Sequence, residues 1–203
     1  EATASEKNWN LSGTAELTRR MQGNKTIREL GQEIINLLTE YLEIPAGALY
    51  VRERTGHALR LQGACAINTS TAFEELVAPG SGIVGQAAAE NKVVAITNVE
   101  PGAFNIVSTF GSITPASIMA IPFSLENKVA GVIELGSLTS FTPQQQQFIE
   151  TVSDSIAICI ASAQAREEVN DLLEETQRQA EELEAQQHEL RQINEELHTK
   201  TDL

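Results

Sequence analysis

Aromatic side chains are scarce. They make up 4% of the 203 residues, so any core must be built from Ile, Leu, Val and Ala. Cysteine is scarcer still: Cys65 and Cys159 cannot make a disulfide framework, and neither belongs to a Cys-x-x-Cys metal pair. That usage points to a reduced, cytoplasmic setting. No apolar run reaches the roughly eighteen residues needed to cross a bilayer, so no membrane insertion is expected. Lys and Arg are outnumbered 14 to 28 by Asp and Glu, giving a net charge of −14. This balance excludes nucleic acid, whose phosphates demand cations. The opening Glu1-Ala2-Thr3-Ala4-Ser5 lacks an initiator Met and the basic and apolar regions of a secretory signal. The expectation is a fragment of a longer protein. No Ser/His/Asp set and no pair of carboxylates on a common face can be found for hydrolysis, so no catalytic residue is assigned.

What is present begins with helix signals. Residues 1–12 read as irregular with Trp9 as their one bulky anchor, and a short helix is expected over Thr14 to Met21, stopped by Gly23-Asn24. Thr26 and Glu29 form the Thr-x-x-Glu pattern in which each residue satisfies the other's backbone N–H. Ile27, Leu30, Ile34, Leu37, Tyr41 and Leu42 then share one apolar helical face. The period changes in the middle of the chain. Ala48 to Val51 and Ala58 to Leu61 read as strands around a hairpin loop, with a polar connection over 66–79. Gly80-Ser81-Gly82 opens a short helix over Ile83 to Glu90, and Val93 to Ile96 is a strand. Residues 97–116 show no period, and unstructured stretches of that length are often functional. Two further strands, Ser117 to Phe123 and Val129 to Leu135, flank the turn Glu126-Asn127-Lys128.

The last element is the clearest. Thr142 can cap, Pro143 suits the first helical position, and Gln145 stands three residues after the cap. Neither Gly nor Pro occurs from there to Leu203. Its second part repeats every seven residues: Val169, Thr176, Leu183, Leu190 and Leu197. Leu173, Ala180, Gln187, Asn194 and Thr201 fill the complementary positions. This a/d seam predicts a parallel two-stranded coiled coil, with Asn194 fixing register, and hence a homodimer. A single amphipathic helix folded back on its own domain is the competing reading. Residues 165–203 hold twelve acids and four bases, the charge of a solvated helix face.

The order of these pieces resembles the GAF domain family. The resemblance rests on Gly80-Ser81-Gly82-Ile83-Val84-Gly85-Gln86-Ala87, Val94-Ala95-Ile96-Thr97-Asn98-Val99, Ser117-Ile118-Met119-Ala120-Ile121-Pro122-Phe123, Gly131-Val132-Ile133-Glu134-Leu135 and Phe141-Thr142-Pro143. It implies an α+β fold: an antiparallel sheet of five or six strands, helices on one face and a small-molecule pocket on the other, plus the long C-terminal helix. The run from Glu174 to Leu197 looks like the coiled-coil linker that follows this domain in bacterial hybrid sensor histidine kinases, and Trp9 to Gly23 like a helix entering it. The expected organisation is a linker or signalling helix over 1–24, the GAF domain over 25–165 and the coiled coil over 166–203.

Several motifs compete with this reading. Gly80-Ser81-Gly82-Ile83-Val84-Gly85 matches G-x-G-x-x-G, which in a dinucleotide fold must follow a buried strand of a βαβ unit. Here Glu74-Glu75 and Ala78-Pro79 precede it, and a tight entry to a short helix explains the glycines. His188-Glu189-Leu190-Arg191 imitates a histidine-kinase phosphoacceptor box but continues Gln192-Ile193, so His188 reads as a solvated surface residue outside the seam. Aligned on Phe141, Ser137, Leu138, Gln145 and Gln146 depart from the signature of the cyclic-nucleotide-binding relatives. The candidate pocket is lined by Phe104, Ile106, Phe110, Ile113 and Ile118, with Asn105, Ser108, Thr109 and Ser117 as polar groups. Simple core filling is the alternative there. No cofactor or metal is expected, and any small-molecule ligand is unidentified. The functional expectation is a non-catalytic sensory or relay module of a histidine kinase, and its alternative is a ligand-free dimerisation spacer.

Overall fold

A computed structural model describes residues 2–66, 75–100, 106–108 and 111–201. Helix α1 spans Ala2–Met21 and α2 Ile27–Tyr41. The Thr26 cap forms as the sequence predicts: the Glu29 N–H donates to Thr26 Oγ1 (3.2 Å) and the Thr26 N–H to Glu29 Oε2 (2.8 Å). Strands β1 (Ala46–Arg52) and β2 (Leu59–Cys65) follow, then β3 (Leu76–Val77), α3 (Gly82–Glu90) and β4 (Val94–Thr97). A short hairpin, β5 (Ile106–Ser108) and β6 (Gly111–Ile113), precedes β7 (Ser117–Leu125) and β8 (Lys128–Ser137). Helix α4 covers Pro143–Thr201. It opens with the expected cap, in which Gln145 N–H donates to Thr142 Oγ1 (3.2 Å) and Thr142 N–H to Gln145 Oε1 (2.9 Å).

Six strands form one sheet in the order β3-β2-β1-β8-β7-β4, every neighbouring pair antiparallel. Its central strands cannot leave either face to water. On one face Leu49, Val51, Met119, Ile121, Ile133 and Leu135 pack with α1, α2 and the first part of α4. On the other, Ala48, Tyr50, Ala120 and Val132 pack with Val84, Ala87 and Ala88 of α3. The fold is therefore the expected α+β arrangement, with three helices on one face and the short α3 on the other.

Two glycines decide how closely the helices approach. A Cβ on Gly63 of β2 would stand 2.3 Å from the backbone carbonyl of Gly31 on α2, and a Cβ on Gly31 would meet Gln62 at 2.8 Å. Backbone therefore rests on backbone at this crossing, which Gln32 also ties by bonding both the carbonyl (2.9 Å) and the N–H (3.2 Å) of Ala64.

Chain segments Glu1–Ala163 and Gln164–Leu203 are separate compact units, the second consisting of the later part of α4.

Three sequence expectations change. Residues 2–12 are helical rather than irregular. Their reason is tertiary: Trp9 stacks on Tyr41 (centroids 4.7 Å) and meets Phe148 (5.1 Å), and the bare Cα of Gly13 admits both partner rings. The stretch 97–116 contains the β5–β6 hairpin, and the 66–79 connection contains β3. Strands of two or three residues are too short for alternation to register.

Gly63→Ala is expected to destabilise the domain by about 1–3 kcal/mol through overpacking, lowering its thermal midpoint by roughly 5–10 °C. Gly56→Ala, in the exposed β1–β2 loop where the nearest atom to an added Cβ is 3.9 Å away, should move it little. Differential scanning calorimetry of the two variants checks this.

Candidate functional site

The sheet face that carries α3 is built from alternate residues of the central strands. Strand register sets one row across it: Ala64 on β2, Ala48 on β1, Glu134 on β8, Ala120 on β7 and Val94 on β4. Glu134 is thus the one long side chain between two alanines, with no bulk beside it from either paired strand. The next row toward the C-terminal end of β8 is Ala46, Gly136, Ile118 and Ile96. The row on the other side holds Tyr50, Val132 and Pro122.

The carboxyl of Glu134 has no hydrogen bond or ion pair among the described residues, although the residue keeps part of its surface accessible. Desolvation alone pushes its pKa up from 4.5 to about 7. Removing a charge from water without a partner disfavours the ionised form. Near neutral pH this acid is poised between its two states.

The sequence-predicted pocket residues separate in the structure. Ile106 and Ile118 come together: both are buried, Ile118 pairs with Gly136, and Ile106 Cδ1 lies 3.8 Å from where a Cβ on Gly136 would stand. They border the Glu134 row. Ser117 is buried with its Oγ donating to the Thr139 carbonyl (2.6 Å), and strand alternation directs it to the face opposite Ile118. Ile113 is exposed. Ser108 contributes backbone to β5, while its side chain, Phe104, Asn105, Thr109 and Phe110 lie outside the described residues. Glu134 went unassigned in the sequence. Its signal was an acid inside the otherwise apolar run Gly131 to Leu135.

The glycines of the G-x-G-x-x-G match have a structural role. Gly80 and Gly82 take positive φ (83° and 59°), and a Cβ on Gly85 would lie 2.3 Å from the Ala78 carbonyl. The preceding β3 and following β4 occupy opposite edges of an antiparallel sheet, which is no dinucleotide-binding βαβ unit. Cys65 and Cys159 both pack against the helix-side core, away from Glu134. His188 is exposed. Among the described residues no group of His, Cys, Asp or Glu is placed to hold a metal ion, and no helix is long and apolar enough to cross a membrane.

In the unit beginning at Gln164, the predicted seam residues Val169, Leu173, Leu183 and Leu190 are 56–65% exposed in the single chain. Thr176, Ala180 and Gln187 are exposed as well, and the Thr176 hydroxyl donates to the Leu172 carbonyl (2.7 Å). The side chains of Asn194 and Leu197 lie outside the described residues. Leu172 and Ile193, beside the seam, are also exposed.

A six-stranded antiparallel sheet covered by helices on both faces places the chain in the class of small α+β domains. The GAF domain family model matches residues 24–161, and the chain belongs to that family. No curated protein sequence matches it. Among solved structures it is similar to the GAF domain of an Acinetobacter phosphoenolpyruvate-protein phosphotransferase: 14% identity, TM-score 0.64, covering 78% of this chain and 97% of that one. The nlh2 GAF domain of A. aeolicus in an inactive state is 21% identical, with TM-score 0.61 and coverage of 77% and 98%. A free methionine-R-sulfoxide reductase from Neisseria meningitidis, in complex with its substrate, is 13% identical, with TM-score 0.61 and coverage of 82% and 94%. The same fold is thus found in GAF domains and in a reductase.

The raised pKa of Glu134 fixes a sign for stability. Well below pH 4.5 the acid is protonated in both folded and unfolded chains and costs nothing. As pH rises toward about 7 the unfolded chain ionises first, so the folded state loses stability across that window. The loss should reach roughly 2–3 kcal/mol. Glu134→Gln should remove it, and urea denaturation of both proteins at pH 5 and pH 8 measures the difference.

Proposed function

We propose that this chain is a sensory relay module that binds a small molecule on the Glu134 face and transmits through paired C-terminal helices to a histidine-kinase core. The observation that carries the reading is how the first and last helices meet. Trp9 of α1 packs on Phe148 of α4, and further along both helices the Cys159 thiol points at the Met21 carbonyl (3.8 Å). The contacts follow the same order on both helices, so α1 and this part of α4 run parallel. The chain therefore enters and leaves the domain in one direction on the helix-side face. Trp9, Tyr41 and Phe148 form one ring cluster between α1, α2 and α4, and Arg20 adds ion pairs to Glu16 and to Glu40 (2.9 Å each). A displacement of α1 must be felt by α4.

The exposed leucines of the second unit support pairing with a second copy. Each would contribute about 1.5–3 kcal/mol if buried, while the Thr and Gln positions would contribute little, so the expected homodimer is modest in strength. A non-catalytic role is supported by the position of both thiols in the helix-side core, where neither can reach a substrate on the Glu134 face. A cytoplasmic location fits the same reading. An acid with no partner among the described residues argues against a ligand-free spacer, since desolvating a carboxyl without compensation only costs stability.

Sedimentation velocity at high micromolar concentration should give a dimer. Leu183→Glu with Leu190→Glu should convert it to a monomer of unchanged thermal midpoint for the domain. A wild-type monomer at that concentration would end the relay reading.

A further inference from the structure

We propose that Glu134 selects the ligand, and that the ligand is a small primary ammonium compound carrying a short apolar body. This rests on the reading of the Glu134 face as the ligand site. The argument starts from what a carboxylate accepts. When ionised it offers only acceptor oxygens, and here the chain's described residues supply neither a donor nor a cation to them. Its paired neighbours, Ala48 and Ala120, present methyl groups, so the floor beside the carboxyl is flat and apolar. Ile118 and Ile106 border that floor near Gly136, and Val94 lies beyond Ala120. The arrangement is a single anionic anchor set in hydrocarbon. A ligand that matches it has a donor-rich cation at one end and no further polar groups near it. Anions meet like charge there, and neutral alcohols leave the charge unpaired.

The other charged or titratable groups near this face do not neutralise the anchor. On β1 these are Tyr50 and Arg52, both engaged in other interactions. On α3, Glu90 is exposed and accepts from Gln86 (3.0 Å), and Lys92 just beyond is exposed. Strands β4 and β7 contribute no titratable side chain to it, and Ile106 is the described contribution of β5. Because desolvation holds the acid near half-ionised at neutral pH, a cation must compete with a proton for it. Ammonium binding at neutral pH then releases a proton to solvent.

The test uses n-butylammonium, n-butanol and butyrate as probes of the full chain, by saturation-transfer NMR and isothermal titration calorimetry. Expected results are selective binding of n-butylammonium, an affinity that rises about tenfold from pH 6 to pH 8, and proton release in paired buffers. The probe itself stays charged across that range. Glu134→Gln should weaken it roughly 10–100-fold and abolish the pH dependence. Equal binding of n-butanol, preferential binding of butyrate, or indifference to Glu134→Gln would each overturn the ammonium selectivity. In those cases loss of binding in Val94→Trp, at the half-buried edge of the same row, would show that the site reading stands without it. If none of the three probes binds, both readings fall.

Discussion

Strand β8 lies in the middle of the sheet with partners on both sides and protein on both faces, and this double burial is the constraint from which the rest follows. Ile133 and Leu135 must be covered on one side and Val132 on the other. The helix-side cover is large because it needs three helices, and those include the first and last of the chain. Among the described residues the other cover is smaller, supplied by the nine-residue α3 and by Ile106 of β5. An extended apolar floor under a short helix is where a site can be accommodated. That is also where the sequence places an acid in an otherwise apolar strand.

Much of the architecture was legible because it rests on local chemistry. The two capping boxes at Thr26 and Thr142 are reciprocal hydrogen bonds between residues three apart, so they depend on little beyond their own sequence. Strands β7 and β8 were found from composition and the turn between them for the same reason. The second half of α1 was read from the sequence, but its start was missed because it is not local. What orders residues 2–12 is Trp9 meeting Tyr41, thirty-two residues away, and Phe148, far beyond that. The Tyr41 hydroxyl donating to the Trp9 carbonyl (2.5 Å) completes the clasp.

The site was legible only in part, and on physical grounds. Ile106 and Ile118 could be named because apolar residues near an aperiodic stretch collect on its inner side. Ser117 and Ile118 could not be told apart, since neighbours in a strand face opposite ways and the face depends on register. Glu134 required both pairings at once. Only when Ala48 and Ala120 are seen as its cross-strand partners does the half-buried acid stand between two apolar neighbours. The sequence shows the residue; the sheet shows that its two cross-strand neighbours carry no charge.

The two faces are coupled through β8 itself. Glu134 stands between Ile133 and Leu135, and both of these pack in the core that includes Phe148, Ile149 and Val152 of α4. A change at Glu134 that moves the strand by a fraction of an ångström must be answered by repacking against α4, because close-packed interiors transmit strain rather than absorb it. Such coupling transmits a signal only if the ligand binds one arrangement of the helices better than the other. On the proposed relay reading, that difference lies in how fully each arrangement lets Glu134 ionise. Ionising it costs free energy that depends on how tightly the strand is held, so the arrangement that best admits a counter-cation is the one that its binding populates. The helix-side clasp of Trp9, Tyr41 and Phe148 sets how much of that preference reaches α4. A rigid clasp moves the helices together and gives a small change in their relative register. A loose one lets α4 shift alone. The ring contacts at 4.7–5.1 Å favour the first, so the proposed relay would work by a joint movement of α1 and the domain-packed part of α4 rather than by a bend between them.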